Sequence, residues 1–170
     1  MAPAGSRESM YAAIQGGADA VYFGVGELNM RAHSAKAFTQ ADLPELAAIC
    51  REHGVRSFLT VNTVLYDGDI AAVKELMHDA AAAGISAVIV ADVAAMLAAR
   101  EAGLEVHLST QLNIANVEAL RFYAQFADVA VLARELTLEQ VAHIHRAVVN
   151  EPILGPSGEP ARLEMFCHGA

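Results

Sequence analysis

Residues 54–92 read GVRSFLTVNTVLYDGDIAAVKELMHDAAAAGISAVIVAD, and this stretch decides the fold. Its two ends, residues 54–61 and 84–90, are short apolar runs rich in β-branched residues, which is typical of buried strands. The alanine-rich residues 69–83 between them carry a helical pattern that stops at Gly84, because glycine commonly follows the last turn of a helix. Two strands joined by a helix predict a βαβ unit with parallel strands.

The same strand–helix pattern recurs along the chain. Ser6 can cap a helix, and Thr39 with Asp42 and Thr137 with Gln140 have the spacing of capping boxes. The predicted strands are residues 18–23, 54–61, 84–90, 103–108, 128–132 and 163–170, and the predicted helices are residues 6–15, 39–53, 69–83, 92–102, 116–126 and 137–149. Strands alternating with helices predict a parallel sheet covered by helices.

Two architectures fit such a pattern. A doubly wound sheet usually carries a GxGxxG loop between a strand and a helix, and this chain has none. A barrel places polar residues on one strand face near the carboxyl ends of successive strands. Such groups are Thr60 with Asn62, then His107 with Ser109 and Gln111, and finally Glu164 with His168. We therefore predict an α/β fold of the TIM-barrel type.

The length of the chain limits how much of a barrel it can form. A complete barrel typically needs about 250 residues, and this chain has 170. We expect an incomplete or truncated (β/α) barrel of about six to seven βα units. Residues 1–170 are expected to form a single domain that is the N-terminal part of a longer architecture.

Composition argues against several kinds of partner. The chain has 11 Lys and Arg against 20 Asp and Glu, a formal charge of −9, whereas nucleic acids and anionic membranes attract clustered cations. The apolar residues 80–99 are interrupted by Gly84 and Asp92, which indicates a strand followed by a helix rather than a membrane span. Cys50 and Cys167 form neither a CxxC pair nor a zinc spacing, and the sequence opens without a signal-peptide pattern. We predict a reduced, cytoplasmic protein.

The last eight residues, LEMFCHGA at 163–170, give the candidate catalytic pair. Because strand side chains alternate, a strand here would carry Glu164, Phe166 and His168 on one face. A glutamate and a histidine on that face suit a strand end that opens into a polar site. Glu164 and His168 are therefore the predicted general acid–base residues.

Other polar residues stand where predicted strands end. Ser109 has no recognisable triad, so a hydroxyl that lines the site is favoured over a nucleophile. Arg134 either forms an ion pair that ties its strand exit to a neighbour or presents a fork to a carboxylate or phosphate. His107 with Glu135, Glu164 and His168 lacks any metal-ligand spacing, so no metal site is predicted. The predicted substrate-binding residues are Asn62, Ser109, Gln111, Asn113, Arg134 and Glu135.

Six motifs, in order along nearly the whole chain, together resemble one family. They are APAGS at 2–6, GADAVYFG at 17–24, LTVNT at 59–63, STQLN at 109–113, LAREL at 132–136 and EMFCHGA at 164–170. In this combination the chain resembles the N-terminal domain of the collagenase-like peptidases, peptidase family U thirty-two.

The resemblance implies several functions. The family is classed as peptidases of unknown catalytic type, and collagen degradation is attributed to some members. Other members take part in hydroxylating bases of ribosomal or transfer RNA, or in ubiquinone synthesis, some with an iron–sulfur cluster. In the family the motif at 164–170 leads into a cysteine-bearing segment, and Cys167 occupies a variable position. The resemblance therefore implies no cofactor within this chain, and an iron–sulfur cluster only in a longer member.

Three functions stay open at this point. The first is a peptidase-like enzyme with its ligand site at the carboxyl ends of the strands. The second is part of a cysteine- or iron–sulfur-dependent protein for RNA-base hydroxylation. The third is a non-catalytic binding module, whose exposed sheet edges would be covered by another chain in an oligomer or by a further C-terminal region.

Overall fold

The computed structural model describes residues 1–29 and 38–167. The chain divides into two compact units, Met1–Glu105 and Val106–Ala170. In the first unit, adjacent strands pair in parallel in the order β1-β2-β3-β4. Its strands are β1 (Ala2–Pro3), β2 (Ala20–Phe23), β3 (Arg56–Val61) and β4 (Ala87–Val90), and its helices are α1 (Arg7–Gln15), α2 (Leu43–Glu52), α3 (Ile70–Ala83) and α4 (Val93–Glu101).

The helix boundaries of the first unit follow the capping signals in the sequence. The Ser6 hydroxyl accepts a hydrogen bond from the Ser9 N–H at 3.2 Å and so caps α1. Thr39 and Asp42 form the predicted capping box around a short 3₁₀ turn that leads into α2. Gly84 ends α3 with φ +82°, a left-handed conformation that glycine adopts without a Cβ penalty.

One face of the strands in the first unit is closed by apolar side chains. The cluster on this face consists of Ala20, Phe58, Ala87 and Ile89, with Tyr22 packed against it. At its edge the Arg56 guanidinium lies 4.8 Å from the centroid of the Phe58 ring. Arg56 Nη2 is also 2.5 Å from Glu105 Oε2. This face therefore ends in an ion pair above an aromatic ring.

In its described part, up to residue 167, the second unit contains three strands and two α-helices. They are β5 (Glu105–Leu108), whose first residue belongs to the first unit, α5 (Val117–Ala124), β6 (Val129–Val131), α6 (Leu138–Asn150) and β7 (Arg162–Glu164). Strand β6 pairs in parallel with both β5 and β7, so that His107 is aligned with Val129 and Glu164 with Val131. Thr137 and Gln140 form the predicted capping box at the start of α6.

The predicted strand at 163–170 is shorter than expected. Strand β7 ends at Glu164, because β6 ends at Val131 and offers no paired residue further along. Met165, Phe166 and Cys167 follow as exposed, non-strand residues. The expectation that Glu164 and Phe166 share a strand face is therefore wrong, and His168 lies outside the described residues.

Asp128 fixes the loop that leads into β7. Its Oδ1 accepts hydrogen bonds from the Ser157 N–H at 3.0 Å and the Ser157 hydroxyl at 2.6 Å. The Asp128 carbonyl accepts from the Arg162 N–H at 2.8 Å, which starts the pairing of β7. A Cβ at Gly155 would lie 2.2 Å from Asp128 Oδ1. Only glycine fits against this carboxylate without a local shift.

The described helices are short. The longest of them, α3, has 14 residues, whereas a membrane-spanning helix needs about 20 apolar residues. Within residues 1–29 and 38–167, no helix combines the length and the hydropathy that crossing a bilayer requires.

Candidate functional site

Glu164 and His107 form the polar centre of the second unit. His107 lies on β5 with 1% of its surface exposed. Its Nδ1 is 3.7 Å from Glu164 Oε1, across the intervening strand β6. The register explains the approach, since His107 is aligned with Val129 and Glu164 with Val131, two residues further along the same face of β6.

The two oxygens of the Glu164 carboxylate differ in their surroundings. The side chain as a whole is 32% exposed. Oε1 faces His107, whereas Oε2 is buried and has no hydrogen-bond partner among the residues that the structure describes. Buried polar atoms are nearly always paired, so such an oxygen calls for an explanation.

The residues after β5 form a fixed loop. Ser109 is 3% exposed, and its hydroxyl accepts a hydrogen bond from the Gln111 N–H at 3.3 Å. The Thr110 hydroxyl donates to the Leu132 carbonyl at 3.2 Å. This bond ties the loop to the end of β6.

This loop changes the predicted orientation of two substrate-binding candidates. Gln111 lies in a 3₁₀ turn rather than on the strand, so the expectation that it continues the face of His107 and Ser109 is wrong. Asn113 ends that turn with φ +51°. Both side chains are exposed. The Ser109 hydroxyl caps this turn.

Arg134 and Glu135 follow β6, and both are exposed. The Arg134 guanidinium carbon lies 5.9 Å from the centroid of the Phe166 ring. Across the described residues Arg134 makes no ion pair. Of its two interpretations, the ion pair with a neighbouring strand exit is therefore absent from the described part of the chain.

Asn62 belongs to the first unit, whereas the other described candidates belong to the second. It follows β3 and is half-buried. Thr60, two residues earlier, is buried, and its hydroxyl donates to the Phe23 carbonyl at 3.0 Å. Thr60 thus links β3 to β2 and has a structural role.

A groove of about 370 Å³ runs beside α6 and β7. Leu138, Val141, Ala142 and His145 of α6 lie on one side of it, spaced as one face of a helix, and Leu163 and Met165 lie on the other. Leu138 is 75% exposed. The groove is mainly apolar, but Glu164, His145 and Arg146 also line it, so the candidate catalytic carboxylate borders this groove.

Metal and thiol chemistry find little support among the described residues. No group of three or more His, Cys, Asp and Glu side chains converges within residues 1–29 and 38–167. Burial raises the pKa of the Cys50 thiol to about 11, so this cysteine is protonated at neutral pH. Cys167 is exposed. The whole chain has two cysteines, which do not fit the thiolate set of an iron–sulfur cluster.

The structure brings Glu164 close to His107, a residue that the predicted site does not include. In the sequence His107 falls on a polar strand face and among the residues weighed as metal ligands, but not among the predicted site residues. Its Nδ1 nevertheless lies 3.7 Å from Glu164 Oε1. A signal for it exists in the sequence, because a histidine within the apolar strand 103–108 is unusual. Its closeness to Glu164 depends on the register of three strands, which the sequence does not show.

The fold and site define an α/β protein with polar residues at the carboxyl ends of parallel strands. The family model for peptidase family U32 matches residues 5–170. The chain belongs to this family.

Two curated relatives illustrate the range of the family. The chain is 61% identical to a collagenase of Porphyromonas gingivalis over 170 residues, which is all of this chain and 41% of that protein. It is 34% identical to the 23S rRNA 5-hydroxycytidine C2501 synthase of Escherichia coli over 93% of the chain and 22% of that protein. The chain thus spans less than half the length of these relatives.

A solved structure supports the fold. The chain matches the U32 peptidase Mk0906 with a TM-score of 0.73 at 15% identity, covering 96% of this chain and 66% of that one. The predicted fold class is confirmed: an incomplete TIM-barrel-like fold with seven described parallel strands alternating with helices.

Proposed function

We propose that this chain is the N-terminal part of a collagenase-type peptidase that binds peptide at the carboxyl ends of β5, β6 and β7. The observation that carries the proposal is the position of Glu164. Its carboxylate stands at the end of β7 beside a buried histidine. In barrel enzymes the residues at this end of the strands perform the chemistry. The 61% identity to a collagenase supports the choice of peptide.

Each candidate residue has a role in this proposal. Glu164 takes a proton from the attacking water, and His168 returns a proton to the leaving amine. Arg134 is proposed to bind a peptide carbonyl or a C-terminal carboxylate. Its exposure, with no ion pair within the described residues, supports this role. The remaining proposed contacts to substrate in the second unit are Ser109, Gln111, Asn113 and Glu135. Asn62 of the first unit is proposed separately as a substrate-binding residue.

The test is cleavage of gelatin and of collagen-derived peptides by the natural gene product that carries this chain. We expect E164Q to lower kcat/KM by at least about 100-fold, the lower range for a general acid–base residue. E159Q is the matched control, since Glu159 is an exposed glutamate in the loop before β7. Equal activity of E164Q and E159Q would contradict the role of Glu164.

RNA-base hydroxylation is the second candidate, favoured by the identity to the rRNA synthase. The two cysteines do not fit a cluster, so any iron–sulfur chemistry would need thiolates from outside this chain. Mass spectrometry of RNA from a deletion strain tests it. Loss of a hydroxylated base, with peptide cleavage unchanged, would favour this function over proteolysis.

We also propose a cytoplasmic location and a covered sheet edge. Two free cysteines support a reducing compartment. Strand β7 pairs with β6 along one side, and an open edge tends to pair with another chain or segment. Light scattering of the purified chain tests the second point. A strictly monomeric, active chain would contradict the binding-module alternative.

A further inference from the structure

The two oxygens of the Glu164 carboxylate differ in their surroundings and in their access to hydrogen-bond donors. Oε1 lies 3.7 Å from His107 Nδ1, a separation longer than a hydrogen bond. Oε2 is buried and lacks a hydrogen-bond donor anywhere in the described part of the chain. An unpaired buried carboxylate oxygen costs free energy. A ligand that supplies the missing donor would recover that cost.

The neighbouring strand cannot supply the donor. On the face shared by His107 and Glu164, strand β6 carries Val129 and Val131, whose side chains have no polar atoms. The imidazole of His107 is buried and therefore restricted in its motion. It can fix one edge of the carboxylate while the other edge stays available.

We propose that His107 is a positioning residue that holds Glu164 Oε1, so that Oε2 accepts a hydrogen bond from an N–H group of a bound peptide. This inference rests on the proposed peptidase function. The contact between His107 and Glu164 shortens to hydrogen-bond distance when ligand binds, as catalytic contacts often do. The N–H group is a backbone amide or an amine of the peptide.

A peptide suits this acceptor better than RNA. A carboxylate acceptor repels phosphate, and after β6 the exposed Glu135 offsets the positive charge of its neighbour Arg134. The chain has 20 acidic against 11 basic residues, whereas RNA binding depends on clustered cations. An amide or amine meets no such repulsion.

The first experiment is a double-mutant cycle on kcat/KM with a collagen-derived peptide and the natural gene product. H107L should lower kcat/KM about tenfold, with a higher KM as well as a lower kcat, since it removes a hydrogen bond to the charged group that binds the peptide. H107N should restore most of the rate, because its amide can donate near the position of Nδ1. In an E164Q background, H107L should cause no further loss.

The cycle separates positioning from a general structural effect. If H107L and E164Q multiply their losses, or if H107N is as poor as H107L, His107 does not act through Glu164 and the inference is overturned. Preferential binding of an RNA oligonucleotide over the peptide at this site would overturn the ligand assignment.

The second experiment needs no activity. Long-range ¹H–¹⁵N NMR of the chain resolves the imidazole nitrogens, and the H107N spectrum assigns those of His107. E164Q should shift the His107 nitrogen signals, whereas E159Q should leave them in place. Unchanged signals in E164Q would overturn the contact. If the signals shift but the wild type cleaves no peptide, the proposed function fails while the positioning contact stands.

Discussion

The two units of this chain share the same alternation of strands and helices, but their strand faces carry different kinds of side chain. In the first unit, one strand face is filled by Phe58 and its apolar neighbours. In the second unit, a strand face carries His107 and Glu164. The first arrangement stabilises the fold, and the second keeps polar groups buried at a cost in free energy. Residues kept in spite of such a cost are candidates for function.

The largest loss of stability is expected from a substitution in the apolar face of the first unit. Phe58 is 3% exposed, so F58A should lower the free energy of unfolding by about 3–5 kcal/mol. The chain has no tryptophan, so urea unfolding is best followed by far-UV circular dichroism. F122A is the control, because Phe122 is 56% exposed. Comparable losses for the two variants would show that the Phe58 face is not a core.

The next largest loss of stability is expected from a substitution in the loop that leads into β7. A Cβ at Gly155 would lie 2.2 Å from Asp128 Oδ1 and 2.8 Å from Asp128 Cα. G155A should therefore cost about 1–3 kcal/mol through overpacking. A Cβ at Gly68 would have no described atom within 4 Å, so G68A should stay within about 0.5 kcal/mol of wild type. Urea midpoints of the two variants that coincide would contradict this role of Gly155.

A smaller change in stability is expected when His107 and Glu164 are both replaced by apolar residues. Replacing both partners of a buried polar pair by apolar residues is often neutral or stabilising. H107L/E164M should leave the free energy of unfolding within about 1 kcal/mol of wild type, or raise it, while removing peptide cleavage. A loss above about 2 kcal/mol in urea unfolding would mean that the pair is mainly structural.

The sequence predicts the local structure of both units because local signals decide it. Ser6, Gly84 and the Thr137–Gln140 capping box act within one helical turn. The alternation of strands and helices then predicts the parallel sheet and the fold class.

The site is less predictable because it depends on distant residues. The end of β7 at Glu164 follows from the end of β6 at Val131, far earlier in the chain. The turn at Gln111 depends on its capping by Ser109 and on the bond from Thr110 to Leu132. The approach of His107 to Glu164 needs the register of three strands. Pairwise geometry of this kind leaves no periodic pattern in a single sequence.

The smallest effect concerns Asp42, a perturbed carboxylate of the first unit with a structural role. The Thr39 N–H and hydroxyl donate to it, each at 2.7 Å, and Arg7 Nη2 lies 2.7 Å away. The backbone hydrogen bond first, then the hydroxyl and Arg7, lower the pKa of Asp42 from 3.8 to about 2.

Because the folded pKa of Asp42 lies below the unfolded value, its stabilisation is complete above about pH 4 and is lost as the pH falls to about 2. The group is near the surface, so we expect D42N to cost less than about 1 kcal/mol at pH 7. The difference between wild type and D42N in urea unfolding should shrink from about pH 5 to about pH 2. G68A, which changes no titratable group, is the control, and its difference from wild type should show no such trend. A wild-type advantage that persists at about pH 2 would mean that Asp42 stabilises the fold by packing rather than by its charge.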